Sequence, residues 1–311
     1  MKQSAQRSGN EIELVIVGSI GIDTIRTPNA VRSKILGGSV SYACVAASFF
    51  TKVGMVGVVG DDFPERYRRL YRRCKIDLKG LQQVPGRTFR WSGVYSRDMN
   101  SRRTLRTELN VFAGFKPELP PEYRTAKYLF LANISPELQL HVLEQIRHPR
   151  FIAADTMDLW INTARRPLMD LIGRVQMITL NDAEARLLTG ENNLVRAARR
   201  ILRWGPDYVV VKKGEHGAML FTSGDVFVIP AFPIEHVIDP TGAGDAFAGG
   251  FMGGLARMSM MKKQGAVCRA LAYGSVMASF GVEAFGLDRL MRLKKTEIEW
   301  RLAQYRLLVR V

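Results

Sequence analysis

The chain has 311 residues, of which 47% are hydrophobic, and a formal net charge of +16 at pH 7. That length allows one large α/β domain with a small appendage. No apolar run reaches the roughly 20 residues that a membrane span needs, and the polar residues 1–10 are predicted to be a flexible tail, neither anchor nor signal peptide. Three widely spaced cysteines argue against a zinc site or a disulfide framework and favour a reducing cytoplasm.

The excess of positive charge is the first feature that needs an explanation. The chain has 45 Lys and Arg against 29 Asp and Glu, and residues 66–73 form the densest basic patch. Tyr67, Leu70 and Tyr71 recur there at helical spacing, which predicts a helix with its arginines on the solvent face. This interpretation is favoured over nucleic acid binding, which stays open as an alternative.

The N-terminal half contains short apolar runs bounded by glycine, a pattern typical of buried parallel strands. Residues 13–19 and 53–60 fit it, and a helix is predicted between them, from the Gly37-Gly38 pair to about residue 50. Residues 88–95 and 103–108 have high β-propensity and flank a polar turn, which predicts a hairpin within about residues 86–110.

The second half alternates strand and helix patterns, which predicts a mostly parallel sheet. Strands are expected at 128–132, 151–154, 175–180, 208–211 and 218–221, and helices near 136–146, 161–172, 246–256 and 267–282. Four glycines in the third of these helices each cost roughly 1 kcal/mol relative to Ala. We therefore expect another element to press closely against that helix.

The most informative stretch is Asp239-Pro240-Thr241-Gly242-Ala243-Gly244-Asp245. Pro240 and the two glycines indicate a turn at the start of a helix. Backbone amides there have no partner within the helix and the helix dipole adds positive charge, so the turn suits an anion such as phosphate. A carboxylate beside a phosphate would repel it unless it accepts a proton from an attacking hydroxyl, and we predict that role for Asp245. The alternative is a tight turn before a core helix.

Apart from the inserted Pro240, this stretch resembles the C-terminal Asp-Thr-Gly-Ala-Gly-Asp signature of the ribokinase-like, or PfkB, family of sugar and nucleoside kinases. The resemblance covers about residues 12–290. It implies a three-layer α/β/α domain at 11–311, with a mostly parallel central sheet and the hairpin as a small lid. A homodimer formed through the lid is one oligomeric state that it allows. It also implies that Asp245 is the catalytic base and that the amides of Gly242, Ala243 and Gly244 form the anion hole.

The same resemblance implies a substrate site. Family members carry an Asp after the first strand that binds the sugar, which here is Asp23. Gly37 and Gly38 are similar to the family's Gly-Gly substrate signature, where missing side chains let the substrate lie against backbone. Ser39 is a substrate candidate or a helix N-cap. Tyr42 stands where ribokinases have Asn, which argues against plain ribose and offers an aromatic ring to stack on a base or to fill space.

Nucleotide and metal candidates follow from the resemblance as well. Asn181 and Glu184 are similar to the motif that organises Mg²⁺ largely through water, although Asn followed by Glu three residues later also predicts a capping box. Four further residues are expected near ATP: Lys213, Gly214 and Gly217 in a strand-then-loop pattern, and Thr241 in the anion turn. Ser279 is a weaker candidate near the adenine.

The implied activity is transfer of the ATP γ-phosphoryl group to a primary hydroxyl of a sugar or nucleoside, with ATP and Mg²⁺ as cofactors and a cytoplasmic location. A phosphorylated sugar is an alternative acceptor, because Arg90, Arg103 and Arg106 on the lid could bind a second phosphate. Their other interpretation is a solvated hairpin face.

Overall fold

Strands and helices alternate along the chain in the computed structural model, which describes residues 11–258 and 263–309. The strands are β1 (Leu14–Val17), β2 (Gly21–Arg26), β3 (Val31–Gly37), β4 (Val53–Val59), β5 (Asp77–Gln83), β6 (Phe89–Tyr95), β7 (Arg102–Glu108), β8 (Tyr128–Leu131), β9 (Phe151–Asp155), β10 (Met177–Asn181), β11 (Tyr208–Lys212), β12 (Ala218–Phe221) and β13 (Val226–Ile229). The helices are α1 (Ser39–Ser48), α2 (Glu65–Arg73), α3 (Pro136–Leu143), α4 (Asp158–Thr163), α5 (Arg165–Ile172), α6 (Asp182–Thr189), α7 (Leu194–Leu202), α8 (Ala243–Arg257), α9 (Lys263–Gly281), α10 (Asp288–Arg292) and α11 (Lys295–Leu308). The predicted tail at residues 1–10 lies outside the described residues.

Nine strands form the central sheet, in the order β13-β12-β11-β10-β9-β8-β1-β4-β5. Neighbours are parallel except at β11–β12 and β12–β13, which are antiparallel. The chain passes from β1 to β4 and β5 on one side, and from β8 to β11 on the other. Ligands of open α/β sheets bind beyond the carboxyl ends of the strands near such a reversal of order.

Both faces of this sheet are buried. In β1, Leu14 and Ile16 join an apolar cluster with α1, α8 and α9. Val15 and Val17, which point to the other face, join a second cluster with α5, α6 and α7. Because neither face of the sheet is exposed to solvent, the central strands have apolar residues at successive positions and not in alternation. The predicted three-layer α/β/α fold is confirmed.

The lid is a separate four-stranded sheet in the order β3-β2-β6-β7. The predicted hairpin is present as antiparallel β6 and β7, and β2 and β3 extend it. These two strands were not predicted from the sequence. Asp23, expected just beyond β1, therefore lies inside β2. The predicted homodimer through the lid would use this sheet and stays a prediction.

The expected close packing against α8 is confirmed. A Cβ added to Gly249 would overlap the carbonyl oxygen of Ala43 in α1, and one added to Gly250 would lie 2.7 Å from the Met277 side chain in α9. The glycines thus let α1 and α9 approach the α8 backbone on two sides. This packing fixes the position of the α8 N-terminus, which carries the anion turn.

The surface agrees with the solvated interpretation of the basic patch. In α2, Leu70 and Tyr71 are buried while Arg69 and Arg72 are exposed, and Arg72 pairs with Glu65 at 2.8 Å. All three cysteines are free thiols. In the described ranges, no helix has both the length and the apolar character to cross a membrane.

Candidate active site

Polar residues collect where β9, β10 and β11 end. Asp155, Asn181 and Lys212 are the last residues of these three parallel strands. Adjacent strands bring them to one edge of the sheet, with Asn181 directly opposite Lys212 in the register. The N-terminus of α8 faces the same edge, since Gly244 packs against the Lys212 side chain.

The anion turn has the predicted form. Gly242 caps α8 with φ 75°, a left-handed conformation that favours glycine. The Ala243 amide donates to the Pro240 carbonyl at 3.1 Å, whereas the amides of Gly242 and Gly244 have no hydrogen-bond partner within the described parts of the chain. In this conformation two of the three predicted anion-hole amides are therefore free to bind a phosphate oxygen.

A buried carboxylate that the sequence did not mark as a site residue holds this turn. Asp239 accepts a hydrogen bond from the Thr241 amide at 2.9 Å and another from the Gly286 amide at 3.0 Å. The Thr241 hydroxyl in turn donates to the Tyr95 hydroxyl of the lid at 3.0 Å. The anion turn is thus bound to the loop after α9 and to the closed lid.

Asp245 lies in the first turn of α8, immediately after the free amides. Burial raises its pKa to about 7, and the negative charge of Asp155 adds to the rise. Lys212 and the lid residue Arg102 oppose it with their positive charges. A carboxyl group with a pKa near neutrality is well matched to general-base work.

Asp23 is another buried acid with a raised pKa. It is 3% exposed, its Oδ1 has no hydrogen-bond partner among the described residues, and burial followed by the Asp239 charge raises its pKa to about 8. A Cβ on Gly37 would overlap the Asp23 carboxylate, and one on Gly38, at φ 90°, would overlap the Ser19 carbonyl oxygen. The Gly-Gly pair therefore makes room for this carboxylate.

The other two predicted substrate residues are buried. The Ser39 hydroxyl accepts from the Ser19 amide at 3.1 Å and donates to the Asn133 carbonyl at 3.3 Å, so it links two strand ends. Tyr42 is 1% exposed, and a Cβ on Gly242 would lie 2.5 Å from its ring. Its ring fills the space beneath the anion turn, and burial together with nearby carboxylates holds its pKa well above the ordinary value.

Asn181 and Glu184 form the capping box. The Asn181 side chain accepts from the Glu184 amide at 2.8 Å, and the Glu184 carboxylate accepts from the Asn181 amide at 2.7 Å. Burial raises the pKa of Glu184 to about 7, although the Lys212 charge lowers it. In the described parts of the chain no three His, Cys, Asp or Glu side chains converge into a metal cage. A Mg²⁺ held mostly by water and phosphates fits such a sparse set, because Mg²⁺ needs only one or two carboxylates.

A Glu184→Gln substitution separates the helix-capping role of Glu184 from its predicted role in binding Mg²⁺. Gln keeps an oxygen that caps the Asn181 amide but loses the charge. We expect Glu184→Gln to keep the melting temperature and to raise several-fold the Mg²⁺ concentration for half-maximal rate. Asp182→Asn, which changes a half-exposed carboxylate in the same turn, is the matched control and should have little effect. An unchanged Mg²⁺ dependence in Glu184→Gln would leave Glu184 with capping alone.

The loop after β11 meets the tip of the lid. Gly214 and Gly217 have φ 56° and 86°, which lets the loop turn back so that the Lys213 amide donates to the Gly217 carbonyl at 2.8 Å. Asn100 of the lid donates to Glu215 at 3.1 Å. The tip of the lid thus contacts the predicted nucleotide loop, whose residues 214–216 are exposed.

Ser279, the remaining predicted nucleotide residue, lies in a buried cluster. Its hydroxyl donates to the Val276 carbonyl at 2.7 Å and accepts from Arg301 at 3.0 Å. Arg301 in turn pairs with Glu283 at 2.6 Å and lies over the Phe280 ring. These contacts hold α11 against α9.

The lid arginines proposed for a second phosphate lie on the opposite face of the lid from Asp23. Arg90 and Arg106 line a hollow of about 250 Å³ together with Ile22 and Thr24, which flank Asp23 in β2 and point away from it. Arg90 pairs with Asp62 at 2.7 Å. Arg103 pairs with Val94 in the β6–β7 register, next to the pair formed by Tyr95 and Arg102. Because successive side chains on a strand alternate, Arg103 points to the face opposite Arg102.

Comparisons with known proteins show which family and fold the chain is similar to. A family model described as pfkB family carbohydrate kinase matches residues 12–292. The cytidine kinase of Thermococcus kodakarensis is 32% identical over 252 residues, which are 79% of this chain and 89% of that protein. The crystal structure of Methanocaldococcus jannaschii nucleoside kinase superposes with a TM-score of 0.76 at 21% identity, covering 95% of this chain and 100% of that one. Aminoimidazole riboside kinase from Salmonella enterica, complexed with aminoimidazole riboside and an ATP analogue, gives 0.69 at 19% identity, covering 93% and 99%.

Proposed function

Because the chain belongs to the pfkB family of carbohydrate kinases, we propose that it transfers the γ-phosphoryl group of ATP to the primary hydroxyl of a nucleoside. A free sugar is the alternative acceptor. The nucleoside is preferred because the 32% identical relative is named a cytidine kinase. The Salmonella enterica protein that shares the fold is likewise named a riboside kinase.

The observation that carries the proposal is the position of Asp245. This acid, with a pKa of about 7, follows directly after the free Gly242 and Gly244 amides at the α8 N-terminus. An acceptor hydroxyl between Asp23 and Asp245 would lose its proton to Asp245 as it attacks the γ-phosphorus. The two amides would then donate to the charge that develops on the transferring group.

Water exclusion and metal binding complete the mechanism. The lid, closed through the Tyr95–Thr241 and Asn100–Glu215 contacts, would keep water from the phosphoryl group and so limit ATP hydrolysis. Glu184 and Asn181 would hold Mg²⁺ through water. When bound, the metal would neutralise charge on the ATP phosphates.

A phosphorylated sugar is the less favoured acceptor. The lid residues Arg90 and Arg106, which could bind a second phosphate, line a hollow on the face away from Asp23. An acceptor bound to Asp23 would not reach them without a change in the lid. This geometry supports an acceptor without a phosphate of its own.

The raised pKa of Asp245 predicts the pH dependence. Asp245 must be ionised to accept a proton, so we expect kcat/KM for ATP to decrease as the pH is lowered through about 7. The measurement uses saturating acceptor, so that Asp23 is occupied throughout. Arg102 lowers the pKa of Asp245, hence Arg102→Gln should move the midpoint to higher pH. An unmoved midpoint would assign the titration to another group, such as ATP itself.

The assay that tests the proposal measures ADP release, coupled to NADH oxidation, with ATP and Mg²⁺. The acceptors are cytidine, uridine, adenosine, inosine, ribose, fructose and fructose 6-phosphate. We expect a nucleoside to give the highest kcat/KM, and Asp245→Asn to remove the signal. A preference for fructose 6-phosphate would overturn the acceptor assignment, and no ADP release with any acceptor would overturn the proposed activity.

A further inference from the structure

Lys212 is a largely buried cation at the strand ends that form the site. It is the last residue of β11, its side chain is 17% exposed, and its ammonium lies 3.1 and 3.2 Å from the two carboxylate oxygens of Asp155. The sequence pattern had instead marked its neighbour Lys213. The loop that begins at Lys213 turns away toward the lid tip, whereas the Lys212 side chain stays at the strand ends.

The Lys212 ammonium also touches the anion turn. A Cβ added to Gly244 would lie 3.2 Å from Nζ, so the ammonium packs against the Gly244 α-carbon. The free amides of Gly242 and Gly244 belong to the same turn. The ammonium and the two amides thus place one positive charge and two free N–H donors at the same turn.

The ammonium stays charged and has a hydrogen to spare. Burial alone would lower the pKa of Lys212, but Asp155, Glu184 and Asp245 together raise it above its ordinary value. An ammonium has three N–H donors, and its hydrogen bonds in the structure go to the two oxygens of Asp155. At least one N–H is left to donate to a ligand at the anion turn.

We propose that Lys212 is a catalytic residue that donates a hydrogen bond to the phosphoryl group while it is being transferred. Asp155 is then a positioning residue that holds the Lys212 ammonium beside Gly244. This inference rests on the proposed kinase function. In the reaction the bond from the γ-phosphorus to the ADP oxygen breaks and a bond to the acceptor oxygen forms. The acceptor proton goes to Asp245, while Lys212 keeps all of its protons and supplies charge only.

The competing account is a structural ion pair. In that account Lys212 and Asp155 neutralise each other, and removing either one harms the enzyme because a buried charge is left unpaired. Removing both charges together would then restore stability and activity at once. In the catalytic account it would restore stability alone, because the donor to the phosphoryl group is still missing.

Four variants separate the two accounts: Lys212→Met, Lys212→Arg, Asp155→Asn and the double variant Lys212→Met with Asp155→Asn. Melting temperature, kcat and both KM values are measured for each with the best acceptor. Lys79→Met is the matched control, because Lys79 forms a similar pair with Glu122 at 2.6 Å on the exposed surface.

We expect Lys212→Met to lower kcat at least about tenfold, the range of one hydrogen bond to a charged group, with acceptor KM changed less than about threefold. Lys212→Arg, which keeps the charge, should recover part of kcat. The double variant should regain the melting temperature of the wild type and keep the low kcat of Lys212→Met, and Lys79→Met should behave as wild type.

Two results would overturn the proposal: a double variant with wild-type kcat, or a Lys212→Met enzyme within about twofold of wild type. If Lys212→Met does not fold, the double variant and Lys212→Arg still decide the question. Failure of the underlying kinase function is distinguishable, since the wild-type enzyme itself would then release no ADP with any acceptor.

Discussion

Asp245→Asn is expected to lower kcat by about a hundredfold or more, because loss of a general base typically costs 10²–10⁴ in rate. Asn keeps the size and polarity of the side chain but cannot take the acceptor proton. Asp245 directly follows the amides that would hold the phosphoryl group, and burial brings its pKa to about 7. We expect the Kd for ATP to stay within about threefold of wild type, measured by calorimetry without acceptor.

Stability provides the control for this variant. The pKa of Asp245 is raised in the folded protein, so its ionised form destabilises the fold, and that cost appears as pH rises from about 4 through about 7. Asp245→Asn should therefore melt at least as high as wild type at pH 8, and no higher than wild type below about pH 4. Activity within about tenfold of wild type would remove Asp245 from the base role.

Asp23→Asn is expected to raise KM for the acceptor about a hundredfold while leaving KM for ATP nearly unchanged. Asp23 is buried in β2 and its Oδ1 has no partner among the described residues, so a hydroxyl of the acceptor would be the group that satisfies it. A site built to hydrogen-bond a hydroxyl discriminates strongly when that bond is lost. Steady-state kinetics with each substrate varied in turn measures the two KM values.

The neighbouring strand position serves as the control. Thr24 is on the same strand but points to the outer hollow of the lid, so Thr24→Ala should leave both KM values near wild type. If Asp23→Asn raised both KM values equally, Asp23 would act on the closed lid as a whole and not on the acceptor. If neither changed, the acceptor would bind elsewhere.

Local features of the site could be predicted from the sequence because they depend on short-range chemistry. The glycine turn before α8, the helix itself (predicted at 246–256 and observed from Ala243) and the Asn181–Glu184 capping box each follow from a few neighbouring residues. The close packing of α8 could be predicted because glycines inside a helix are costly unless another backbone approaches.

The features that were missed depend on contacts between distant parts of the chain. The first four residues of β3 are exposed. Strand β2 pairs with β6, and the partners Gly21 and Phe89 are 68 residues apart in the sequence. Neither segment has the alternation of a half-buried strand over its full length. The Lys212–Asp155 pair joins residues 57 apart, and the Thr241–Tyr95 bond joins residues 146 apart. Only the assembled sheet shows which lysine of the Lys212-Lys213 pair enters the site.

The central claim, transfer of phosphate from ATP to a primary hydroxyl, is tested most directly by the phosphorus NMR spectrum of the product. After turnover with ATP, Mg²⁺ and the best nucleoside acceptor, we predict one new phosphomonoester resonance, split into a triplet by the two protons of the adjacent CH₂ group. A doublet would mean that a secondary hydroxyl was phosphorylated. A signal from inorganic phosphate alone would mean that water is the acceptor, and either result would contradict the mechanism built on Asp23 and Asp245.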